Sequence, residues 1–313
     1  MPNFAAATDV MQALCRARWV EREVIDQVFR NTPLLSFFYQ QKETRPGAPV
    51  YEVSVNVEDP TNAYWIEGYD TFTYSPFDSM RSVVFRPRRI VLPTQISDDE
   101  IAATEDPDSL MEIIDANLDL LAAALSERLE AAIVQGNPAA KQFPGLDRAV
   151  DDGTVDPNYG GLSRVTYPAW RANVDTAAGA PSFTKLLTPL VQSVWGPQAP
   201  SVGFTTQSLW ISVLNSIMPN ERIATPQQDY ATGPSRTFLF AGLDVYHSQF
   251  IQPGHWYWLN PKSFKFIQVK GRDGIFRGFR IADNQEVYYG RLVWYGTFFL
   301  THCRSNAKLT SLT

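Results

Sequence analysis

The only imidazoles in the chain are His247, His255 and His302, and no two are spaced to share one helix face, so a zinc site has no basis in the sequence. Asp147, Asp151, Asp152 and Asp156 crowd one segment. The alternation and closing glutamate of a calcium loop are missing there, and a solvated turn is expected. Glu67, Asp70, Glu100 and Glu286 could work as acid and base only if the fold set two of them across a cleft. No G-x-S-x-G elbow, Walker loop or dinucleotide fingerprint occurs. Gly271, Gly274 and Gly278 have the wrong intervals for a phosphate cradle and read as turn glycines. The expectation is a non-enzyme with no metal and no cofactor.

Two features suit binding better than catalysis. His255-Trp256-Tyr257-Trp258 and Trp294-Tyr295 could stack on a sugar or fill a sheet core. Arg86, Arg88 and Arg89 lie among Val83, Val84, Phe85, Ile90, Val91 and Leu92. They could hold phosphate, but ion pairs to a neighbouring protein chain explain the pattern at least as well.

The elements that would position these residues belong to a chain of 313 residues with 44% hydrophobic content, long enough for a substantial core. A net charge of −6 argues against a chain built to wrap nucleic acid. Cys15 and Cys303, at opposite ends, imply no disulfide framework and a reducing compartment. Neither a signal peptide nor an 18-residue apolar run is present, so no membrane segment is expected.

Thr8 or Asp9 can cap a first helix to about Arg30, which Asn31-Thr32-Pro33 would end. Val50 to Val57 alternates as a strand, and Ser82 to Ile96 reads as a second extended run that Pro87 and Pro93 demote to an edge or a free ribbon. Together they suggest a long two-stranded arm with a wide tip, which needs a partner to lie on. Pro107 to Gln135 is the clearest helix, with Asp106 as N-cap and Gly136-Asn137-Pro138 as stop. Pro181 to Trp195 reads as a helix that Pro189 should kink or divide. Val202 to Thr205 is a short buried strand, Thr206 caps a helix to Met218, and Pro219 to Ser235 is a long exposed loop. Phe238 to His247, Trp256 to Leu259, Phe264 to Val269 and Val287 to His302 read as strands. The class is α+β.

This order of elements resembles the major capsid proteins of tailed bacteriophages, the Hong Kong 97-type fold. Local runs are similar as well: Trp65-Ile66-Glu67-Gly68, Val91-Leu92-Pro93-Thr94-Gln95-Ile96-Ser97, Ile133-Val134-Gln135-Gly136, Gly145-Leu146, Gly242-Leu243-Asp244-Val245-Tyr246, Tyr257-Trp258-Leu259-Asn260 and Val293-Trp294-Tyr295-Gly296. The resemblance implies an N-terminal arm (1–45) and an extended β-hairpin loop (46–100). A peripheral domain with a spine helix (101–164), an axial domain (165–260) and C-terminal strands returning to both sheets (261–313) would follow. It further implies pentamers and hexamers closing into an icosahedral shell around double-stranded DNA, in a virion assembled in the host bacterial cytoplasm. A portal protein would be a partner, and Met1 directly before the arm suggests a separate scaffolding protein or none.

Expected contacts between subunits are Arg86, Arg88, Arg89, Tyr64, Trp65, Tyr69, Phe72 and Tyr74; Asn220, Glu221, Arg222, Gln227 and Asp229 would lie near the capsomer axis. The extended loop has no Lys between Val50 and Ser97, so isopeptide crosslinking through it is not expected. The competing reading is an attachment or decoration protein that recognises sugars through the aromatic C-terminal half, and behind it a carboxylate hydrolase.

Overall fold

The computed structural model describes residues 33–58, 65–71, 78–99, 107–217, 237–282 and 285–313, with backbone alone for 107–116, 177, 178, 237 and 282. The expected first helix, the Asp106 cap and the 219–235 loop lie outside the described residues.

The first described element is α1 (Pro33–Tyr39), which buries Leu34, Leu35 and Phe38. Pro33 opens this helix: its missing N–H costs nothing in a first turn, where amides have no intrahelical acceptor. Next come β1 (Glu43–Arg45), β2 (Tyr51–Asn56), β3 (Met80–Phe85) and β4 (Arg88–Ser97). The run Ser82 to Ile96 is thus two strands, not one. It breaks at Arg86-Pro87, where β3 leaves its antiparallel partner β2 and the chain turns into another sheet.

The long helix α2 (Pro107–Gln135) has the expected bounds and spans roughly 43 Å. Leu125, Leu129, Ala132 and Ile133 recur at three- and four-residue steps and are buried. Its end is fixed by two close backbones: the Gly145 N–H donates to the Gly136 carbonyl at 2.9 Å. Then follow α3 (Leu146–Ala149), the short pair β5 (Asn158–Tyr159) and β6 (Leu162–Ser163), β7 (Asn173–Gly179) and α4 (Phe183–Gln192). Pro189 does not divide α4. Only one helical N–H is lost, and Leu186 and Leu190 on either side are buried.

The remaining elements are β8 (Val202–Thr205), α5 (Gln207–Ile217), β9 (Thr237–Phe240), β10 (Leu243–His247), β11 (Trp256–Leu259), β12 (Phe264–Val269), β13 (Ile275–Ala282), β14 (Gln285–Leu300) and β15 (Ala307–Leu312). They form two sheets. The first runs β1-β12-β14-β13. Residues 288, 289 and 291–293 of β14 pair with β13 and with β4 at once, so β4 occupies the opposite side of β14 and is an edge, where Pro93 is tolerated. The second sheet runs β7-β15-β11-β8-β10-β9.

Both sheets share one core. Phe38, Phe143, Phe266, Trp294 and Phe298 meet between the first sheet and the helices, with ring centroids from 4.9 to 6.2 Å for Phe38–Phe298 and Phe143–Phe298. In the second sheet, Trp256 and Trp258 of β11 face α4 and α5, while Tyr257 and Leu259 face the shared core. A strand covered on both faces has no polar positions, which is why its sequence reads as unbroken aromatics.

Candidate assembly interface

The β2–β3 ribbon has two unlike faces. Tyr51, Val55, Val83 and Phe85 are buried, whereas Glu52, Ser54, Asn56, Ser82 and Val84 are exposed. The ribbon's base does not wait for another chain. Phe85 stacks on Phe299 with centroids 4.3 Å apart, and the Val84 N–H donates to the Gly160 carbonyl at 2.9 Å. Beyond this base the surface is different in kind: Trp65 and Tyr69 are 103% and 104% exposed and Ile66 is exposed. Large aromatic side chains left wholly in water are uncommon on a free surface and make this segment a candidate contact surface.

The predicted arginines separate at the Pro87 turn. Arg86 and Arg88 line a cleft of about 400 Å³ with Arg148, Asn137, Gln142 and Asp156. Arg89 instead lies over the Tyr295 ring, 5.5 Å from its centroid. None of the three forms an ion pair among the described residues. Of the other expected contacts, Tyr64, Phe72 and Tyr74 fall outside the described residues, as do Asn220, Glu221, Arg222, Gln227 and Asp229.

The residues with chemical potential are drawn into structure instead. Asp151 is not in a solvated turn. It is 1% exposed and accepts from the N–H groups of Gly153, Val155 and Asp156 at 2.9 to 3.0 Å. Its charge faces Arg164 at 3.5 Å and Lys308 at 3.8 Å. Arg164, also fully buried, donates to the carbonyls of Arg148, Ala149 and Trp170 at 2.8, 2.6 and 3.2 Å. Burial works to raise the Asp147 carboxyl, but hydrogen bonds from His255 and Tyr257 and the Lys308 charge hold it below its ordinary range. The Tyr257 hydroxyl donates to Asp147, and Lys308 donates to the Asp147 carbonyl at 3.0 Å.

This network joins α3 to β11 and β15. Cys303 belongs to the same interior, and burial pushes its thiol up to about 11, so it stays protonated and inert. Glu67 and Asp70 meet only within one local turn, the Glu67 N–H donating to the Asp70 carboxylate at 3.0 Å and the Asp70 N–H to the Glu67 carbonyl at 3.3 Å. Glu286 is exposed and Glu100 lies outside the described residues.

Gly278 is not a turn glycine; it lies in β13 at a register shift between Arg277 and Arg280. Trp256, Tyr257 and Trp258 are 0% exposed and Trp294 is 1% exposed, so these aromatics cannot stack on a sugar without unfolding the core. Among the described residues no group of three or more His, Cys, Asp or Glu is placed to hold a metal. No described helix is long and apolar enough to cross a membrane. The residues missed from sequence are Arg164, Lys308 and the fully buried Glu130; only the proximity of Asp151 and Arg164 in sequence hinted at a pair.

No family model and no curated protein matches the sequence. The structure matches solved shells along nearly its whole length. The capsid asymmetric unit of cyanophage A-1(L) aligns with a TM-score of 0.71 over 95% of this chain and 97% of that one, at 14% identity. The fold is that of tailed-phage capsid proteins. The capsid of a native GTA particle shares it at TM-score 0.64 and 10% identity, covering 93% and 94% of the two chains. An encapsulin of Synechococcus elongatus, SrpI in its holo complex, aligns at 0.60 and 15% identity over 100% and 96%. The agreement spans both sheets, the long helix and the β2–β3 ribbon in one chain.

Proposed function

We propose that the chain is the major capsid protein of a tailed double-stranded DNA bacteriophage. Pentamers and hexamers of it would close into an icosahedral shell, with a separate scaffolding protein and a portal as partners, in a virion assembled in the host cytoplasm. The role is structural, not enzymatic. The observation that carries this reading is the end-to-end agreement with subunits of closed shells, joined to exposed aromatic side chains that the isolated subunit leaves in water. In this reading residues 1–45 are the arm and 46–100 the extended loop. The first sheet with α2 is the peripheral domain, the second sheet with α4 and α5 the axial domain, and strands from 261–313 serve both. Residues 220–229 lie toward the capsomer axis.

The full-length match to an encapsulin supports a second reading, a shell that encloses protein. Particles purified from the native source after nuclease treatment separate the two. Protected double-stranded DNA of uniform length supports the phage capsid, and a stoichiometric protein cargo without DNA supports the compartment.

A further inference from the structure

The first sheet has a face that the protein core does not use. Arg291 of β14 stands directly across from Arg277 of β13, and Tyr289 across from Arg280. In a regular strand residues 277 and 280 would point to opposite sides. One extra residue at Gly278-Phe279 shifts the register, so both arginines join Tyr289 and Arg291 on the outer face; bulges re-aim side chains in this way. The opposite face is accounted for: Phe276 and Phe279 close over Gly290, where an added Cβ would lie 2.5 Å from Phe276. Across β14 the register puts Arg89 opposite Tyr295 and Val91 opposite Val293, on the outer face too.

This face therefore presents Arg89, Arg277, Arg280 and Arg291 beside the exposed apolar side chains of Val91, Ile275 and Tyr289. None of the four arginines reaches a carboxylate among the described residues. Like charges directly opposite on paired strands are unfavourable, so Arg277 against Arg291 is a local cost that an anionic partner would reverse. The complementary charge is elsewhere in the chain. From Ile90 to Glu127 the sequence carries ten Asp or Glu and no Lys or Arg, starting at Asp98-Asp99-Glu100. Asp98 and Asp99 are exposed.

We infer that the outer face of β4, β14 and β13 docks the acidic run beginning at Asp98 of a second copy of the chain. This rests on the shell reading and names the surfaces that would meet in it. Apolar side chains interleaved with arginine, and a chain of net charge −6, favour an acidic protein segment over nucleic acid. Guanidinium groups are well suited to such a contact because each can grip a carboxylate with two parallel hydrogen bonds.

The test is Arg277→Glu/Arg280→Glu, with Arg291 retained. A carboxylate opposite Arg291 relieves the like-charge pair, so the subunit's melting temperature should hold or rise while particle yield falls roughly tenfold or more. Adding Asp98→Lys/Asp99→Lys to the same chain should restore particles. Wild-type yield from the double variant overturns the inference, and failure of the added lysines to rescue it overturns the acidic run as the occupant. Particles that form normally but lose their nucleic acid reassign the face to nucleic acid. Wild-type chain that never assembles overturns the shell reading itself, and is distinguished by that control.

Discussion

Glu130 on α2 accepts a 2.6 Å hydrogen bond from the Ser248 hydroxyl with one carboxylate oxygen and a 3.1 Å bond from the Leu35 N–H with the other. One fully buried side chain thus fastens the spine helix both to the turn after β10 and to the first turn of α1, where the chain emerges from its N-terminal segment. Among the described residues no cation faces it.

Burial pushes the Glu130 carboxyl up to about 7, against the opposing hydrogen bonds from Ser248, Leu35 and Leu34. A raised folded-state value means the native subunit holds its proton more tightly than the unfolded chain. The stabilisation is therefore complete below the ordinary carboxylate range and is lost as pH rises toward 7. Glu130→Gln keeps a carbonyl for the Leu35 N–H and an amide that can donate to Ser248. Denaturant titrations should show the variant more stable than wild type by about 1–3 kcal/mol at pH 8, with the difference vanishing near pH 4. A constant difference across that range would contradict the assignment. Asp147, Asp152 and Asp273, held below their ordinary range, act oppositely and weaken the fold only in stronger acid.

Arg164 donates to three backbone carbonyls at 2.6 to 3.2 Å and to a fourth, that of Asp156, at 3.3 Å, and faces Asp151 in a site closed to water. A lysine ammonium cannot reach all of them at once, and each carbonyl left bare is costly. Arg164→Lys should lower subunit stability by about 3–5 kcal/mol, read as a lower denaturant midpoint or as insoluble product. An unchanged midpoint would refute the network's structural role.

Gly145 is a matter of space. A Cβ there would lie 2.3 Å from the Gly136 nitrogen and 2.7 Å from the Val134 carbonyl oxygen, both backbone atoms that cannot swing aside. Gly145→Ala should cost about 2–3 kcal/mol in a thermal or chemical melt. A melt matching wild type would mean the end of α2 is looser than described.

Trp65 and Tyr69 make the converse case. Being wholly exposed, they contribute no burial to the subunit, so Trp65→Ser/Tyr69→Ser should change its stability by less than about 0.5 kcal/mol while reducing particle yield. The same separation is expected for Arg86→Glu/Arg88→Glu/Arg89→Glu: soluble folded subunits that do not form shells. Normal shells from both sets would remove the extended loop from the interface.

The elements legible in the sequence were those written locally. The Pro107–Gln135 helix, Val202–Thr205, Trp256–Leu259 and Phe264–Val269 have their expected bounds, because caps, stops and unbroken apolar runs act over a few residues. What was hidden depends on distant partners. β7 begins Asn-Val-Asp-Thr and is a strand because it pairs in parallel with β15, more than a hundred residues later. Asp151 looks solvated until Arg164 and Lys308 close over it. The common face of Arg277 and Arg280 arises from a bulge that no alternation pattern predicts. For the interface, the arginine and aromatic residue types were readable, but the division of Arg86 and Arg88 from Arg89 at Pro87 was not.

Closure of this chain on copies of itself is open to direct measurement. Light scattering on a sizing column, with negative-stain images of the heaviest fraction, measures it directly on purified recombinant protein, alone and with a scaffolding protein from the same source. Rings, sheets or closed shells of megadalton mass are expected. A persistent monomer across salt and protein concentration, with and without that partner, would contradict the shell reading.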